Sequence, residues 1–149
     1  IAAGGIADGR GIAAAFMLGA EAVQMGTRFV ATEECHVHEN YKQFLLKARD
    51  IDTRVTGRTT GHPVRTLRNP MTKEYLEKEA AGASFEELEM LTLGGLRKAV
   101  VDGDVKTGSV MSGQIAGMVK DVPACKDLMA RLMAETKEAV KKNSFLVEE

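Results

Sequence analysis

Residues 1–29 read IAAGGIADGRGIAAAFMLGAEAVQMGTRF, and they hold the most regular pattern in the chain. A strand of a buried sheet is short and apolar, whereas a run of alanine and leucine favours helix. The sequence predicts, in order, a strand end at residues 1–3, a glycine turn at 4–9, a helix at 12–18 that Gly19 ends, and a second strand at 22–25. This order describes a βαβ unit with parallel strands, which is the building block of (β/α)8 barrels and of doubly wound sheets.

The remainder of the chain shows no further alternation of strands and helices, and it is predicted to be mostly helical. Ser84 and Glu87 have the spacing of a capping box. Asp121 is placed as the N-cap of a long amphipathic helix opened by Pro123. The other predictions are helices at 41–48, 71–81 and 86–96, an irregular or extended segment at 55–68, a turn at 102–104 and a frayed tail at 143–149.

The composition is that of a globular chain with balanced charge. Of the 149 residues, 44% are hydrophobic, and 20 basic against 21 acidic residues give a formal net charge of -1. This balance lacks the basic field that attracts nucleic acid or an anionic membrane, so neither partner is predicted. Cys35 and Cys125 lie far apart without the spacing of metal ligands, which predicts free thiols, no metal site and a reducing, cytoplasmic location.

A glycine-containing segment follows each of the two predicted strands. Gly4 and Gly5 begin the first segment, and glycine allows a phosphate to approach the backbone where a Cβ atom would block it. The positive N-terminal end of the next helix is expected to favour a dianionic phosphate. Residues 24–27 end the second strand with a glycine and a hydroxyl donor. Because loops after strands 7 and 8 of (β/α)8 barrels commonly form a phosphate site, the pair predicts phosphate binding.

Several motifs resemble those of a known family of flavoproteins. Up to about Val119, the chain is similar to enoyl-acyl-carrier-protein reductase II and its relatives, the nitronate monooxygenases, with downstream motifs closer to the reductase branch. The motifs that carry the resemblance are AAGGIADG (2–9), FMLGAEAVQMGTRF (16–29), NYK (40–42), KARDIDT (47–53), GHPVR (61–65) and GSVMSGQIAG (108–117).

The resemblance implies an α/β fold in which the chain supplies the C-terminal portion of an FMN-binding (β/α)8 TIM barrel, about strands 7 and 8, plus a mostly helical covering domain. Residues 1–35 then form the end of the barrel with the FMN-phosphate loops, 36–119 the covering region, and 120–149 a C-terminal amphipathic helix and tail. The implied cofactor contacts are Gly4, Gly5, Gln24, Met25, Gly26 and Thr27 at the phosphate and ribityl chain, with Met111 and Gln114 near the flavin ring.

The activity that the resemblance implies is FMN-dependent reduction of trans-2-enoyl thioesters, carried by acyl carrier protein or coenzyme A, with NADH or NADPH. The family's catalytic-region histidine is expected before Ile1, so no catalytic residue is assigned and the chain alone is expected to be inactive. Three alternatives stay open. They are oxidation of alkyl nitronates, another phosphate-binding barrel that handles nucleotide monophosphates, and a non-catalytic piece that forms a homodimer or another association through an exposed sheet edge.

Other residues that could take part in catalysis or binding are also assigned structural roles. His36 and His38 are predicted to be structural or surface residues, and His62 a turn residue with pocket lining as the alternative. Methionine side chains more often fill protein cores than bind cofactors. Met111 is therefore the one methionine of the downstream helical region kept as a candidate contact, because the resemblance places it near the flavin ring. Four arginines either meet an anionic substrate such as a phosphopantetheine or form a solvated basic stretch; they are Arg54, Arg58, Arg65 and Arg68.

Overall fold

A computed structural model describes residues 1–146 and divides the chain into two compact units. The first unit combines residues 1–35 with the chain from Asp121 onward, and the second is His36–Lys120. The final helix, which the sequence placed in a region of its own, thus belongs with the N-terminal residues. None of the helices in the described part of the chain combines the length and apolar composition needed to span a bilayer.

The first unit contains the predicted βαβ arrangement. Its elements are β1 (Ala2–Ala3), α1 (Gly9–Met17), β2 (Val23–Gln24), α2 (Thr27–Val30) and α7 (Cys125–Lys142), with a 3-10 turn at Ser144–Leu146. β1 and β2 are parallel, as predicted, with Ala2 opposite Val23. α1 begins three residues earlier than predicted because the Asp8 side chain caps it, accepting from the N–H of Gly11.

The core of this unit lies where α1 packs against α7. Ile6, Ile12 and Ala15 meet Leu128 and Leu132, all nearly fully buried. Gly9 makes the close approach possible, since a Cβ atom there would overlap the backbone of α7 at Glu135 and Thr136. The predicted amphipathic face of the last helix is therefore confirmed at Leu128, Leu132 and Thr136, whereas Val140 is exposed.

The start of α7 differs from the prediction. Its N-cap is Ala124, not Asp121, and Ala124 has no capping side chain. The N–H of Cys125 instead donates to both carboxylate oxygens of Glu34, at 2.9 and 2.8 Å. A carboxylate from a distant segment thus satisfies this helix end, where negative charge is favourable. The predicted frayed tail is a 3-10 turn at Ser144–Leu146, and residues 147–149 lie outside the described residues.

The second unit contains short helices around one β-hairpin. In chain order its elements are α3 (Glu39–Leu46), β3 (Thr53–Thr56), β4 (Val64–Leu67), α4 (Pro70–Ala80), α5 (Phe85–Thr92), α6 (Gly95–Val100) and a 3-10 turn at Gln114–Met118. β3 and β4 pair antiparallel, so the predicted segment 55–68 is extended at both ends, with a turn-containing connection at 57–63. The unit is therefore less helical than predicted. The helix predicted at 86–96 is interrupted at Gly94, whose φ of +70° cannot continue a right-handed helix.

Side-chain caps position the helices of the second unit. The capping box of Ser84 and Glu87 is present as predicted. Asn69 caps α4 by accepting from the N–H of Thr72 at 2.8 Å, and its amide donates to the carbonyls of Val105 and Gly108, also at 2.8 Å. This buried side chain therefore ties the start of α4 to the loop after α6.

Candidate cofactor-binding site

The two glycine-containing segments lie at the same end of the β1–β2 sheet, after the carboxyl ends of its strands. The strands are parallel and Ala3 lies opposite Gln24, so their carboxyl ends leave the sheet side by side. In sheets of parallel strands, ligands bind outside these carboxyl ends. The predicted residues that the structure brings together here are Gly4, Gly5, Gln24, Met25, Gly26 and Thr27.

The backbone of both segments is open to close approach. Gly4 and Gly5 have φ values of +86° and +73°, which other residues rarely adopt. A Cβ atom on Gly4, Gly5 or Gly26 would have no protein atom within 4 Å. Within residues 1–146 the N–H of Gly5 donates no hydrogen bond. The residues present therefore fit a phosphate, because the loop leaves a backbone donor beside open space.

The first turn of α1 is occupied by two carboxylates of the protein itself. Asp8 accepts from the N–H of Gly11 at 3.0 Å, and Glu135 accepts from the N–H of Gly9 at 2.9 Å. These negative groups offset the positive end of the helix dipole. These carboxylates compete with a phosphate for the helix end, and phosphate binding there stays a prediction. The N–H of Gly5 in the loop before the helix is not occupied by another group of the described chain. Asp8, directly before the helix, was the sequence signal for this cap.

Arg28 directly follows the second segment and fixes it to the chain at Asp121. Arg28 is only 3% exposed, and its Nη2 donates to the carbonyls of Ala31 and Asp121 at 3.2 and 3.1 Å. The same nitrogen lies 3.1 Å from the Asp121 carboxylate, which also accepts from Arg131 in α7 at 2.5 Å. Sequence reasoning missed this cluster because Arg28 and Asp121 are 93 residues apart.

The charges of this cluster shift one another's pKa. Burial lowers the pKa of Arg28, and the Asp121 carboxylate opposes that effect. The hydrogen bond from Arg131 lowers the pKa of Asp121, and the same bond raises the pKa of Arg131. Because arginine stays protonated at ordinary pH, ionisation of Asp121 controls the cluster.

Met111 and Gln114 lie in the second unit. Met111 forms an isolated antiparallel bridge with Thr66, and its carbonyl accepts from the Tyr41 hydroxyl at 2.5 Å. The Met111 side chain is nevertheless 41% exposed, and Gln114 is exposed at the start of its 3-10 turn. Backbone contacts thus fix Met111, and its side chain is partly exposed. That both residues approach a flavin ring stays a prediction.

The histidines divide into structural and cavity-lining residues. Nδ1 of His38 accepts from the N–H of Asn40 at 3.1 Å and caps α3, which confirms the predicted structural role. His36 is exposed. His62 lies in the hairpin connection, where its N–H donates to the carbonyl of Gly57 at 3.0 Å, and its ring also lines a cavity. Both roles predicted for His62 are therefore present.

The four arginines do not form one anion site. Arg54 pairs with Thr66 and Arg65 pairs with Val55, so the two arginines lie on opposite faces of the hairpin. Arg54 donates to the carbonyls of Ile51 and Thr53, and Arg65 donates to the hydroxyl of Thr53. These contacts favour the solvated, locally bonded alternative over a shared phosphopantetheine site.

Several cavities lie within single units, among them one of about 240 Å³ in the second unit that Arg49 and Arg68 line. Two others are larger. One of about 910 Å³ lies between α1 and α7 in the first unit and includes none of the predicted cofactor contacts. The other, of about 420 Å³, lies in the second unit, and both His62 and Met111 line it. No local sequence pattern signals this second cavity because its residues come from the hairpin, α4, α5, α6 and the following loop.

Both cysteines are free thiols, as predicted. Within residues 1–146, no group of three or more histidine, cysteine, aspartate and glutamate side chains is arranged to hold a metal ion. The candidate chemistry of the described chain therefore rests on its backbone loops and on the cavity of the second unit.

Known proteins are similar to this chain in sequence and in fold. A family model described as nitronate monooxygenase matches residues 1–135. The chain is 31% identical to (3aS,4S,5R,7aS)-5-hydroxy-7a-methyl-1-oxo-octahydro-1H-indene-4-carboxyl-CoA dehydrogenase of Mycobacterium tuberculosis, over 99% of this chain and 52% of that protein. It is 36% identical to a nitronate monooxygenase of Paraburkholderia phytofirmans, over 94% and 38% of the two chains.

A solved structure, FabK from Thermotoga maritima, is similar at 50% sequence identity with a TM-score of 0.87, over 94% of this chain and 44% of that chain. The match confirms the fold class as part of a (β/α)8-barrel enzyme. The chain thus spans between 38% and 52% of the length of these three relatives.

Proposed function

Because this chain belongs to the nitronate monooxygenase family of flavin-dependent oxidoreductases, we propose that the protein reduces trans-2-enoyl thioesters through FMN, with NADH or NADPH as reductant. The observation that carries the proposal is the 50% identity with FabK, an enoyl-acyl-carrier-protein reductase II, against 36% with a nitronate monooxygenase. The thioester is carried by acyl carrier protein or by coenzyme A. Two free thiols support a reducing, cytoplasmic location.

The chain's own contribution is to hold and orient the cofactor. The N–H of Gly5 and the open backbone at Gly26 would hold the FMN phosphate. Met111 and Gln114 are the residues that the family resemblance assigns to the flavin ring. The Arg28–Asp121 pair fixes the helix that follows Gly26. The bound flavin supplies hydride transfer from the nicotinamide to the enoyl double bond. No catalytic residue is assigned within residues 1–146.

The test uses the longer natural protein, purified and supplied with FMN, a trans-2-enoyl thioester and NADH or NADPH. We expect oxidation of the nicotinamide only when the thioester is present. Nicotinamide oxidation that is independent of thioester, or no oxidation with either cofactor, contradicts the proposal.

Oxidation of alkyl nitronates is a second candidate, favoured by the description of the matching family and by the Paraburkholderia relative. It differs from enoyl reduction because it consumes oxygen, releases nitrite and needs no nicotinamide. Nitrite measured with a nitronate substrate in air, with nicotinamide omitted, distinguishes the two activities. Flavin absorbance of the purified protein separates both from a nucleotide monophosphate barrel.

A non-catalytic role by association rests on the two-stranded β1–β2 sheet. The unpaired edges of such a sheet are able to pair with a second copy or with another chain. Sedimentation of the 149-residue chain over a range of concentrations tests this role. A homodimer that binds no FMN supports it, and a monomer that binds FMN contradicts it.

A further inference from the structure

The wall of the 420 Å³ cavity in the second unit is largely apolar. Pockets for small organic ligands commonly measure about 300–1,000 Å³ and have apolar walls with a few polar groups. The apolar side chains that line this cavity come from β4, three helices and the loop after α6; they are Val64, Met71, Phe85, Leu96 and Met111. The cavity thus has the size and wall chemistry of a site for a small apolar group.

The charge of the cavity wall disfavours an anion. Glu89 is its one carboxylate, and among the described residues that line it there is no lysine or arginine. His62 is the remaining group that takes positive charge. A phosphate, carboxylate or nitronate in this cavity would meet no lysine or arginine of the wall and would face Glu89, whose like charge is unfavourable for an anion. The wall therefore selects an uncharged ligand.

Two hydroxyl groups of the wall, on residues that are otherwise buried, have no protein hydrogen-bond partner in the described chain. Tyr75 and Ser109 are each 6% exposed and line the cavity, and neither side chain makes a hydrogen bond within residues 1–146. The threonines of the wall differ, because Thr56 and Thr60 donate to backbone carbonyls at 3.3 and 3.1 Å. Neither hydroxyl is among the fully buried polar atoms, so both are accessible and can donate to an acceptor on a ligand in the cavity.

We infer that this cavity binds the uncharged acyl part of a thioester, with the Tyr75 and Ser109 hydroxyls donating to a carbonyl oxygen of the ligand. The apolar wall holds the hydrocarbon chain, and the missing cation excludes the free acid and nitronates. The inference rests on the proposed function, whose substrate class it specifies. It makes Tyr75 and Ser109 specificity-determining residues that local sequence patterns do not reveal.

The test measures ligand binding to the 149-residue chain without flavin, by isothermal titration calorimetry. The probe is the N-acetylcysteamine thioester of trans-2-octenoate, and the matched anion is trans-2-octenoate itself. We expect the thioester to bind at least about tenfold more tightly than the acid, which corresponds to about 1.4 kcal/mol. Equal affinities, or tighter binding of the acid or of propyl-2-nitronate, overturn the inference.

Hydroxyl deletions test the two donors. Tyr75→Phe and Ser109→Ala should each weaken thioester binding by about fivefold to tenfold, the usual effect of one lost hydrogen bond. Ser112→Ala is the matched control, because Ser112 is equally buried, lies three residues from Ser109 and is not part of the cavity wall. Tyr75→Phe should leave the urea midpoint unchanged, since its hydroxyl has no protein partner. A lowered midpoint with unchanged affinity indicates a purely structural role and contradicts the inference.

A space-filling pair tests the acyl chain. Leu96→Trp narrows the cavity and should weaken octenoyl binding by more than about tenfold while sparing the shorter crotonyl thioester. Leu93→Trp, at an exposed position outside the wall, should change neither. Unchanged octenoyl binding in Leu96→Trp overturns the inference. Because these assays use no flavin, thioester binding without enoyl reduction by the longer protein contradicts the proposed function alone.

Discussion

The two units build their candidate sites from different parts of the chain. In the first unit the site is backbone, because Gly4, Gly5 and Gly26 present main-chain groups to open space. In the second unit it is a cavity of side chains drawn from a hairpin, helices and a loop. A backbone site is damaged by adding an atom, whereas a cavity supported by buried polar side chains is damaged by removing one. The predictions test this difference.

The largest expected effect is that of Gly9→Val in the first unit. Its Cβ would overlap the backbone of α7, which cannot move as a flexible side chain does. We expect the free energy of unfolding to fall by about 3 kcal/mol or more. Urea unfolding followed by far-UV circular dichroism measures the fall. Gly26→Val is the matched control, because a Cβ there meets no protein atom within 4 Å; equal midpoints for the two variants would contradict the packing role of Gly9.

The corresponding deletion in the second unit is Asn69→Ala. It removes the cap of α4 and leaves the carbonyls of Val105 and Gly108 without their donor. We expect a loss of about 2–3 kcal/mol. Tyrosine fluorescence reports on this unit, because it holds both tyrosines and the chain has no tryptophan. Asn40→Ala, which removes one bond at an exposed position, should cost less, and an equal cost would show that burial of Asn69 contributes nothing.

The contrast between local and long-range contacts explains which features of the structure the sequence predicts. The βαβ pattern, the glycine segments and the Ser84–Glu87 capping box depend on residues close together in the chain, and the structure contains all three. The Arg28–Asp121 pair and the Glu34 cap of α7 join residues 93 and 91 positions apart. Local spacing carries no information about such pairs. Asp121 was predicted to be a helix N-cap because it lies two residues before a proline. Its actual partner, Arg28, is too distant in the chain for local spacing to reveal.

The cavity was also beyond local prediction. Tyr75 and Ser109 belong to different elements, and the absence of a hydrogen-bond partner becomes visible only when every neighbour is placed. His62 is the exception, because its place in Gly-His-Pro predicts a turn residue with pocket lining as the alternative. Backbone sites are therefore more predictable than side-chain cavities in this chain, since a glycine in a loop after a strand indicates an open backbone without knowledge of distant residues.

A third prediction separates the conformation of a glycine from its exposure to ligand. Gly5 and Gly82 both have positive φ, +73° and +81°, and both face open space. Gly5→Ala and Gly82→Ala should therefore each lower the free energy of unfolding by about 1 kcal/mol. Only Gly5→Ala should weaken FMN binding, by about tenfold or more. Titration of FMN fluorescence measures the difference, and equal affinities in the two variants argue against phosphate contact at Gly5.

The smallest expected effect concerns pH and the Asp121 cluster. The pKa of Asp121 is lowered in the folded chain, mainly by the hydrogen bond from Arg131, so its ionised form stabilises the fold. This contribution is fully present above the unfolded pKa of about 3.9 and is lost as pH falls through the lower folded pKa. The Asp121 side chain is 45% exposed, and solvent screening limits the effect to less than about 1 kcal/mol.

Asp121→Asn should accordingly lower stability at neutral pH and flatten its decline below about pH 4. The urea midpoint, followed by circular dichroism from pH 7 to pH 3, measures both changes. Glu21→Gln, at an exposed position of the same unit, should keep the wild-type pH profile. If Asp121→Asn declines as steeply as the wild type, a carboxylate elsewhere controls the acid sensitivity. The loop after β2 would then be held in place by the bonds from Arg28 to the Ala31 and Asp121 carbonyls, which do not titrate.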